Sequence, residues 1–94
     1  MLFALINDVV DDYITRRQAV RAEHLALAER WVASGKLVAG GAFDPPDGTL
    51  LVFRVDSAAE VEAFVREDPY VRSGIVKSWR IREWKVVVGE LAPK

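Results

Sequence analysis

"KLVAGGAFDPPDGTLLVFRV", Lys36 to Val55, decides how the rest of the chain folds. Two apolar runs, "KLVAGGAF" and "TLLVFRV", flank "DPPDG", and prolines followed by an Asp-Gly step are strong turn signals. The stretch therefore reads as a β-hairpin with a loop of moderate length. What lies on either side of it then fixes the topology.

Upstream, the residues from about Thr15 to Ser34 repeat with a helical period. At roughly 100° per residue, Val20, His24, Leu27, Ala28 and Trp31 share one narrow arc, flanked by Arg21, Leu25 and Val32, while Glu23, Glu29 and Arg30 fall outside it. Gly35 follows as a helix-terminating glycine. Earlier still, Leu2 to Ile6 is a short apolar run with no helical period, a strand ending at Asn7 and Asp8. Downstream, Ser57 stands three residues before Glu60, a capping box opening a second helix that buries Val61, Phe64 and Val65. Pro69 stops that helix, because the residue before a proline is driven out of the helical region. After Gly74, "IVKSWRIREWKVVV" reads as a last strand. Ile75, Trp79 and Ile81 share one phase and Trp84, Val86 and Val88 the other, which predicts a bulge or a change of partner near Arg82 and Glu83.

The order strand, helix, strand, strand, helix, strand is that of an α+β, ferredoxin-like βαββαβ fold: a single domain over residues 1–94, with an antiparallel sheet and two helices on one of its faces. Nothing in the chain covers the other face. Yet Leu2, Ala4 and Ile6 alternate with Phe3 and Leu5, and Leu51, Phe53 and Val55 with Leu50 and Val52, so the strands are apolar in both phases. A sheet wetted on one side should alternate apolar with polar. A homodimer packed sheet to sheet is the expectation.

Composition narrows the function classes. Thirteen basic against fourteen acidic residues leave a net charge of -1, which supplies no electrostatic footprint for nucleic acid and no polybasic membrane surface. With no cysteine and one histidine, disulfides, thiolate chemistry and zinc-thiolate sites are excluded and a transition-metal site is disfavoured. No apolar run approaches the ~18 residues of a membrane span, and "MLFALIND" lacks the basic start of a signal peptide, so a soluble, unprocessed, cytoplasmic protein is expected.

His24 lies in the apolar arc of the first helix rather than on its wet side. Taken alone, a histidine there reads most simply as a core-edge residue bonded to a backbone carbonyl. Topology changes the weighing. With the first and third strands antiparallel, the helices that follow them are antiparallel too, and the end of the second lies beside the first half of the first. That brings Asp68, in "EDPY", toward the chain's one imidazole. A carboxylate accepting from one ring nitrogen fixes the tautomer and leaves the other free for proton transfer.

Arg21, one turn before His24, and Arg17, one turn before that, could each hold an anionic or phenolate oxygen; snorkelling is weighed evenly for Arg21 and preferred for Arg17. Gly40 and Gly41 mark a bulge or let a ligand approach closely, with the bulge preferred and Gly41 the candidate contact. Tyr70 points its hydroxyl into the same cleft or packs. Trp79 and Trp84 are assigned to the core or a dimer interface. Ser78, with no second base available, is no nucleophile.

Together, "RAEHLALAERWVASGKLVAGGAFDPPDGTLLVF", "VEAFVREDPYVRSGI" and "WRIREW" resemble the YciI-like (YCII-related) family over nearly the whole chain. The landmarks are the Arg and His of "RAEHL", the "GKLVAGG" strand, the Asp-Gly hairpin, the "DPY" step and the closing "W-x-I-x-x-W"; Ala42 departs from the family's usual proline. The resemblance implies a dimeric α+β barrel and an active site on His24 and Asp68. It also implies kinship with a dehydrochlorinase of a chlorinated hydroxyhydroquinone, on a fold shared with muconolactone isomerase and cofactor-free monooxygenases. The leading expectation is a lyase or isomerase needing no cofactor, in which His24 moves a proton on a small oxygenated ring, Asp68 orients it, and Arg21, Gly41 and Tyr70 bind the substrate. The alternatives are a non-catalytic dimeric small-ligand-binding or regulatory module, and a cofactor-free monooxygenase.

Overall fold

The computed structural model describes residues 1–93. Its elements are β1 (Leu2–Val9), α1 (Tyr13–Arg16), a 3₁₀ turn (Arg17–Ala19), α2 (Arg21–Ala33), β2 (Leu37–Ala42), β3 (Gly48–Arg54), α3 (Ala58–Glu67), α4 (Pro69–Arg72) and β4 (Val76–Glu83). The four strands form one antiparallel sheet in the order β2-β3-β1-β4, the ferredoxin-like arrangement expected. Its central pair, β1 and β3, matches Phe3 with Phe53, Leu5 with Leu51 and Asn7 with Thr49. Those residues face the helices.

The main core lies between that face and α2 and α3. Leu27 comes from α2, Val61, Phe64 and Val65 from α3, and Phe3, Leu5, Leu37, Leu51, Phe53 and Val55 from the sheet side. Trp31 meets Phe53 and Phe64 edge-on at 5.8 and 5.3 Å, a geometry that aligns ring edges with ring faces. A second cluster of Val9, Tyr13, Tyr70, Ile75 and Val76 forms at the other end of the helix face. A cleft opens between the two.

Several expected boundaries move. The first helix is not continuous from Thr15: it begins at Tyr13 and breaks into the 3₁₀ turn, and Val20, at φ −126° and ψ 6°, sits outside the helical region before α2 starts. Gly35 does end α2, at φ +80°, with Gly35 N–H donating to Val32 and Lys36 N–H to Trp31, the paired bonds of a Schellman motif. At the start of α3, Ser57 makes no side-chain cap bond. Glu60 instead accepts from the Asp56 N–H at 2.9 Å, so half of the expected box forms, one residue out of register. Strand β1 runs on through Asn7 and Asp8 to Val9.

β4 ends at Glu83 instead of continuing to Val88, so the change of phase at Trp84 is the end of the strand. The expected bulge near Arg82 and Glu83 is found at the opposite end, where Asp8 pairs with Ser78 and Val9 with Val76, leaving Lys77 extra. Beyond the helix face, Ala4, Ile6 and Leu50 are half-buried and Leu2 and Val52 buried, but Ser78, Arg80 and Arg82 of β4 pair with Asp8, Ile6 and Ala4. The expectation of strands apolar in both phases therefore holds for β1 and β3 and fails for β4. No helix among the described residues is long and apolar enough to cross a membrane.

Candidate active site

The site is built where two helix ends meet. Asp68 precedes Pro69, which pushes it to φ −68° and ψ 118° and interrupts the helix there. The helix does not stop for good: Pro69 opens α4, Asp68 is its N-cap, and its Oδ1 accepts the Tyr70 N–H at 3.0 Å. A second Schellman motif then closes α4, with Gly74 at φ +79° and Ile75 N–H donating to Tyr70. The "DPY" step thus anchors a single helical turn at both ends.

The same Asp68 Oδ1 lies 2.8 Å from His24 Nδ1, across the contact between α2 and α4. Asp68 is 1 % exposed, so a carboxylate is held in the interior by an imidazole and a backbone N–H. With Asp68 ionised, its oxygen can only accept, which puts the shared proton on Nδ1 and leaves Nε2 as the free ring nitrogen. Tyr70 stacks flat on the imidazole, with centroids 3.7 Å apart and planes 4° off parallel. Tyr13 then meets Tyr70 edge-on at 5.9 Å. Burial, and then the neighbouring Tyr13, raise the Tyr70 hydroxyl above its ordinary pKa, and Arg21 and Arg17 pull the other way. Tyr70 is therefore a neutral phenol at physiological pH, both packing residue and cleft wall.

His24, Tyr70, Arg21 and Gly41 all line one cleft of about 260 Å³, which Asn7, Tyr13, Arg17, Gly40, Ala42 and Thr49 also line. Arg21 is half-buried and, like Arg17, has no carboxylate within ion-pair distance among the described residues. Gly41 borders the cleft with open space where a Cβ would stand, whereas a Cβ on Gly40 would come within 3.1 Å of Leu51 Cγ. The expected bulge is not at these glycines; it is at Val38, between the pairs Leu37–Phe53 and Ala39–Val52.

Arg17 does not snorkel. Its guanidinium lies 5.0 Å over the Tyr13 ring and donates to the Tyr13 hydroxyl at 3.3 Å. Trp79 and Trp84 are outside the chain's core, each 46 % exposed. Ser78 donates to Asp8 at 2.9 Å at an exposed position away from the cleft. Sequence reasoning missed Asn7, Thr49 and Tyr13. Asn7 was legible as a polar residue in the buried phase of β1, after Phe3 and Leu5, and its Nδ2 donates to Thr49 at 3.0 Å.

Comparison with known proteins agrees with this architecture. No curated protein sequence matches the chain. Among solved structures, it is similar to 5-chloro-2-hydroxyhydroquinone dehydrochlorinase (TftG) from Burkholderia phenoliruptrix AC1100, determined as a complex with 2,5-dihydroxybenzoquinone: 28 % identity, 90 % of this chain and 94 % of that one covered, TM-score 0.77. It also resembles a NIPSNAP family protein from Agrobacterium tumefaciens at 17 % identity, 98 % and 95 % coverage and TM-score 0.60, a likeness of fold alone. The family model of the YCII-related domain matches residues 1–85, and with the ferredoxin-like fold described above the chain belongs to the YCII-related family.

Proposed function

We propose that this protein is a lyase or isomerase that needs no cofactor and uses His24 for general acid-base transfer of a proton on a small, cyclic, oxygenated substrate. The observation that carries the reading is the 2.8 Å contact between His24 Nδ1 and the buried Asp68, on a ring that lines the cleft. Such a pair leaves Nε2 as the proton acceptor, and the flat stack of Tyr70 holds the ring from swinging away.

In the reaction, Nε2 takes a proton from a ring hydroxyl or carbon. The electron pair left behind forms a new double bond, either as a leaving group departs with its own pair or as the imidazolium returns the proton to another carbon. The first outcome is elimination and the second isomerisation. Arg21 adds positive charge to the cleft in which the oxyanion develops, and Gly41 offers an unobstructed wall for a ring. The similarity to a dehydrochlorinase supports elimination from a hydroxylated ring as the first class to try. The half-buried apolar side chains of β1 and β3 on the far face of the sheet support a homodimer with sheets apposed, and the absence of cysteine suits a reducing cytoplasm.

A screen of chlorinated and non-chlorinated hydroxybenzenes and small unsaturated lactones, followed by chloride release and ultraviolet absorbance, tests the reading. His24→Ala should lower the rate by about two to four orders of magnitude, the usual weight of a general base. Equal rates in the two proteins contradict the proposal. No turnover by wild type, with a lower melting temperature as the only effect of His24→Ala, is the outcome expected of a ligand-binding module. Light scattering at micromolar concentration checks the dimer, and a monomer there removes it.

A further inference from the structure

Two buried polar atoms of cleft-lining residues have no partner among the described residues. Asn7 is 2 % exposed, and with its Nδ2 committed to Thr49 its Oδ1 is buried and accepts nothing among the described residues. Turning the amide over would let the Thr49 hydroxyl donate to Oδ1 and leave the amide N–H spare, so one half of the amide stays unmatched in either orientation. Arg17 Nε is likewise buried with no acceptor, although its Nη1 is bonded to Tyr13. A guanidinium cannot shed its proton, and buried polar groups in folded proteins are nearly always matched.

Both residues line the same cleft as His24. Its lining carries two cations, Arg17 and Arg21, against a single exposed carboxylate, Glu29, because the Asp68 charge sits behind the imidazole. Its volume of about 260 Å³ lies below the roughly 300–1,000 Å³ of sites that take drug-sized molecules, which suits a single ring.

Building on the function proposed above, we propose that Arg17 and Asn7 are specificity-determining residues: Arg17 Nε receives an anionic ring oxygen and Asn7 a ring hydroxyl, so that the cleft selects singly ringed anions carrying a further hydroxyl. Arg17 is fixed for this role by its contact with Tyr13, whose ring it overlies and whose hydroxyl it bonds. Asn7 is fixed by Thr49 across the central strand pair. Arg21 has no such brace and supplies charge without a set direction.

Equilibrium binding separates this from the catalytic reading, since it requires no turnover. The probes, titrated in mildly acidic buffer, are 2,5-dihydroxybenzoquinone, a vinylogous diacid that there carries one ionised and one protonated oxygen on one ring, and 2,5-dimethoxybenzoquinone, which has the ring but neither feature. Calorimetric titration of wild type should favour the dihydroxy compound by at least about a hundredfold, the combined weight of one charge-assisted and one neutral hydrogen bond. Arg17→Lys, which keeps the charge but removes the Nε donor, and Asn7→Val should each reduce that preference by about tenfold or more while leaving the dimethoxy affinity unchanged. Arg17 is the safer variant for folding, being only partly buried, and circular dichroism qualifies Asn7→Val. Unchanged preference in Arg17→Lys overturns the assignment, as does a wild type that binds the two quinones equally or binds neither. A His24→Ala protein that is inactive yet still discriminates supports both readings, and discrimination without any wild-type turnover supports this one alone.

Discussion

The two ends of the helix-facing side of the sheet are made from the same strands and do opposite things. At one end Phe3 pairs with Phe53 and Leu5 with Leu51 beneath Phe64 and Trp31, and Trp31, Phe53 and Phe64 meet one another edge to face. One step further along the same phase the pair is Asn7 with Thr49, and the helices above contribute His24, Asp68 and Tyr70 in place of hydrocarbon. The register that builds the core thus delivers polar groups to the cleft without any change in backbone geometry. Size is a poor guide here: the larger concavity, about 470 Å³ between Met1, Leu2, Arg54, Trp84 and Leu91, holds a solvent-exposed Lys85–Glu83 ion pair at 3.2 Å where the cleft holds the buried Asp68 against His24.

If the apolar end holds the fold, Phe53→Ala should be the costliest change, because Phe53 is 0 % exposed and touches Phe64 and Trp31. A loss of about 3–5 kcal/mol in a urea melt is expected. At the polar end Asp68→Ala should cost about 2–3 kcal/mol, since it removes a helix cap and strands the imidazole donor, while Asp68→Asn retains an acceptor and should cost distinctly less. Equal losses in the two Asp68 variants would break the comparison by showing that shape rather than hydrogen bonding matters there. Gly48→Ala probes the join between the ends: its Cβ would stand 2.8 Å from the Asn7 carbonyl oxygen, so the β1–β3 register must shift locally. About 1–3 kcal/mol of destabilisation is expected, as for overpacking.

The smallest effect concerns Tyr70. Its hydroxyl has a raised pKa through burial, so its folded value lies above its unfolded one. The neutral form therefore contributes stability that is fully present below the ordinary value of about 10 and is lost as pH rises through the raised one. Tyr70→Phe, which keeps the ring stack on His24, should melt within a few degrees of wild type at neutral pH and lose less stability as pH rises above about 10. Parallel alkaline melting curves for the two proteins would contradict this.

Much of the architecture was legible because it rests on local signals. The hairpin around "DPPDG", the glycine stops at Gly35 and Gly74, and the apolar arc of α2 each announce themselves within a few residues. Antiparallel topology then carried Asp68 to His24, a contact 44 residues apart in sequence that no local pattern encodes. The misses arose where tertiary context overrode pattern. Asp68 reads as a helix stop, and only the capped turn of α4 beyond it makes it an N-cap. Asn7 reads as the end of a strand because a polar residue usually leaves the core, whereas here the strand continues and the core becomes a cleft. Arg17 reads as a solvated helix flank because the helical period marks nothing before Thr15, whereas α1 begins at Tyr13 and sets that ring one turn before Arg17.

Whether His24 works through Nε2, on a ring whose Nδ1 is tied to Asp68, is tested most directly by the nitrogen-15 resonances of the imidazole, because the protonated and bare ring nitrogens of a neutral histidine are widely separated. Nδ1 should be protonated and Nε2 bare in the free protein, and addition of 2,5-dihydroxybenzoquinone should move the Nε2 resonance while Nδ1 stays bonded to Asp68. A proton resident on Nε2 with Nδ1 bare, or an Nε2 resonance indifferent to ligand, would contradict it.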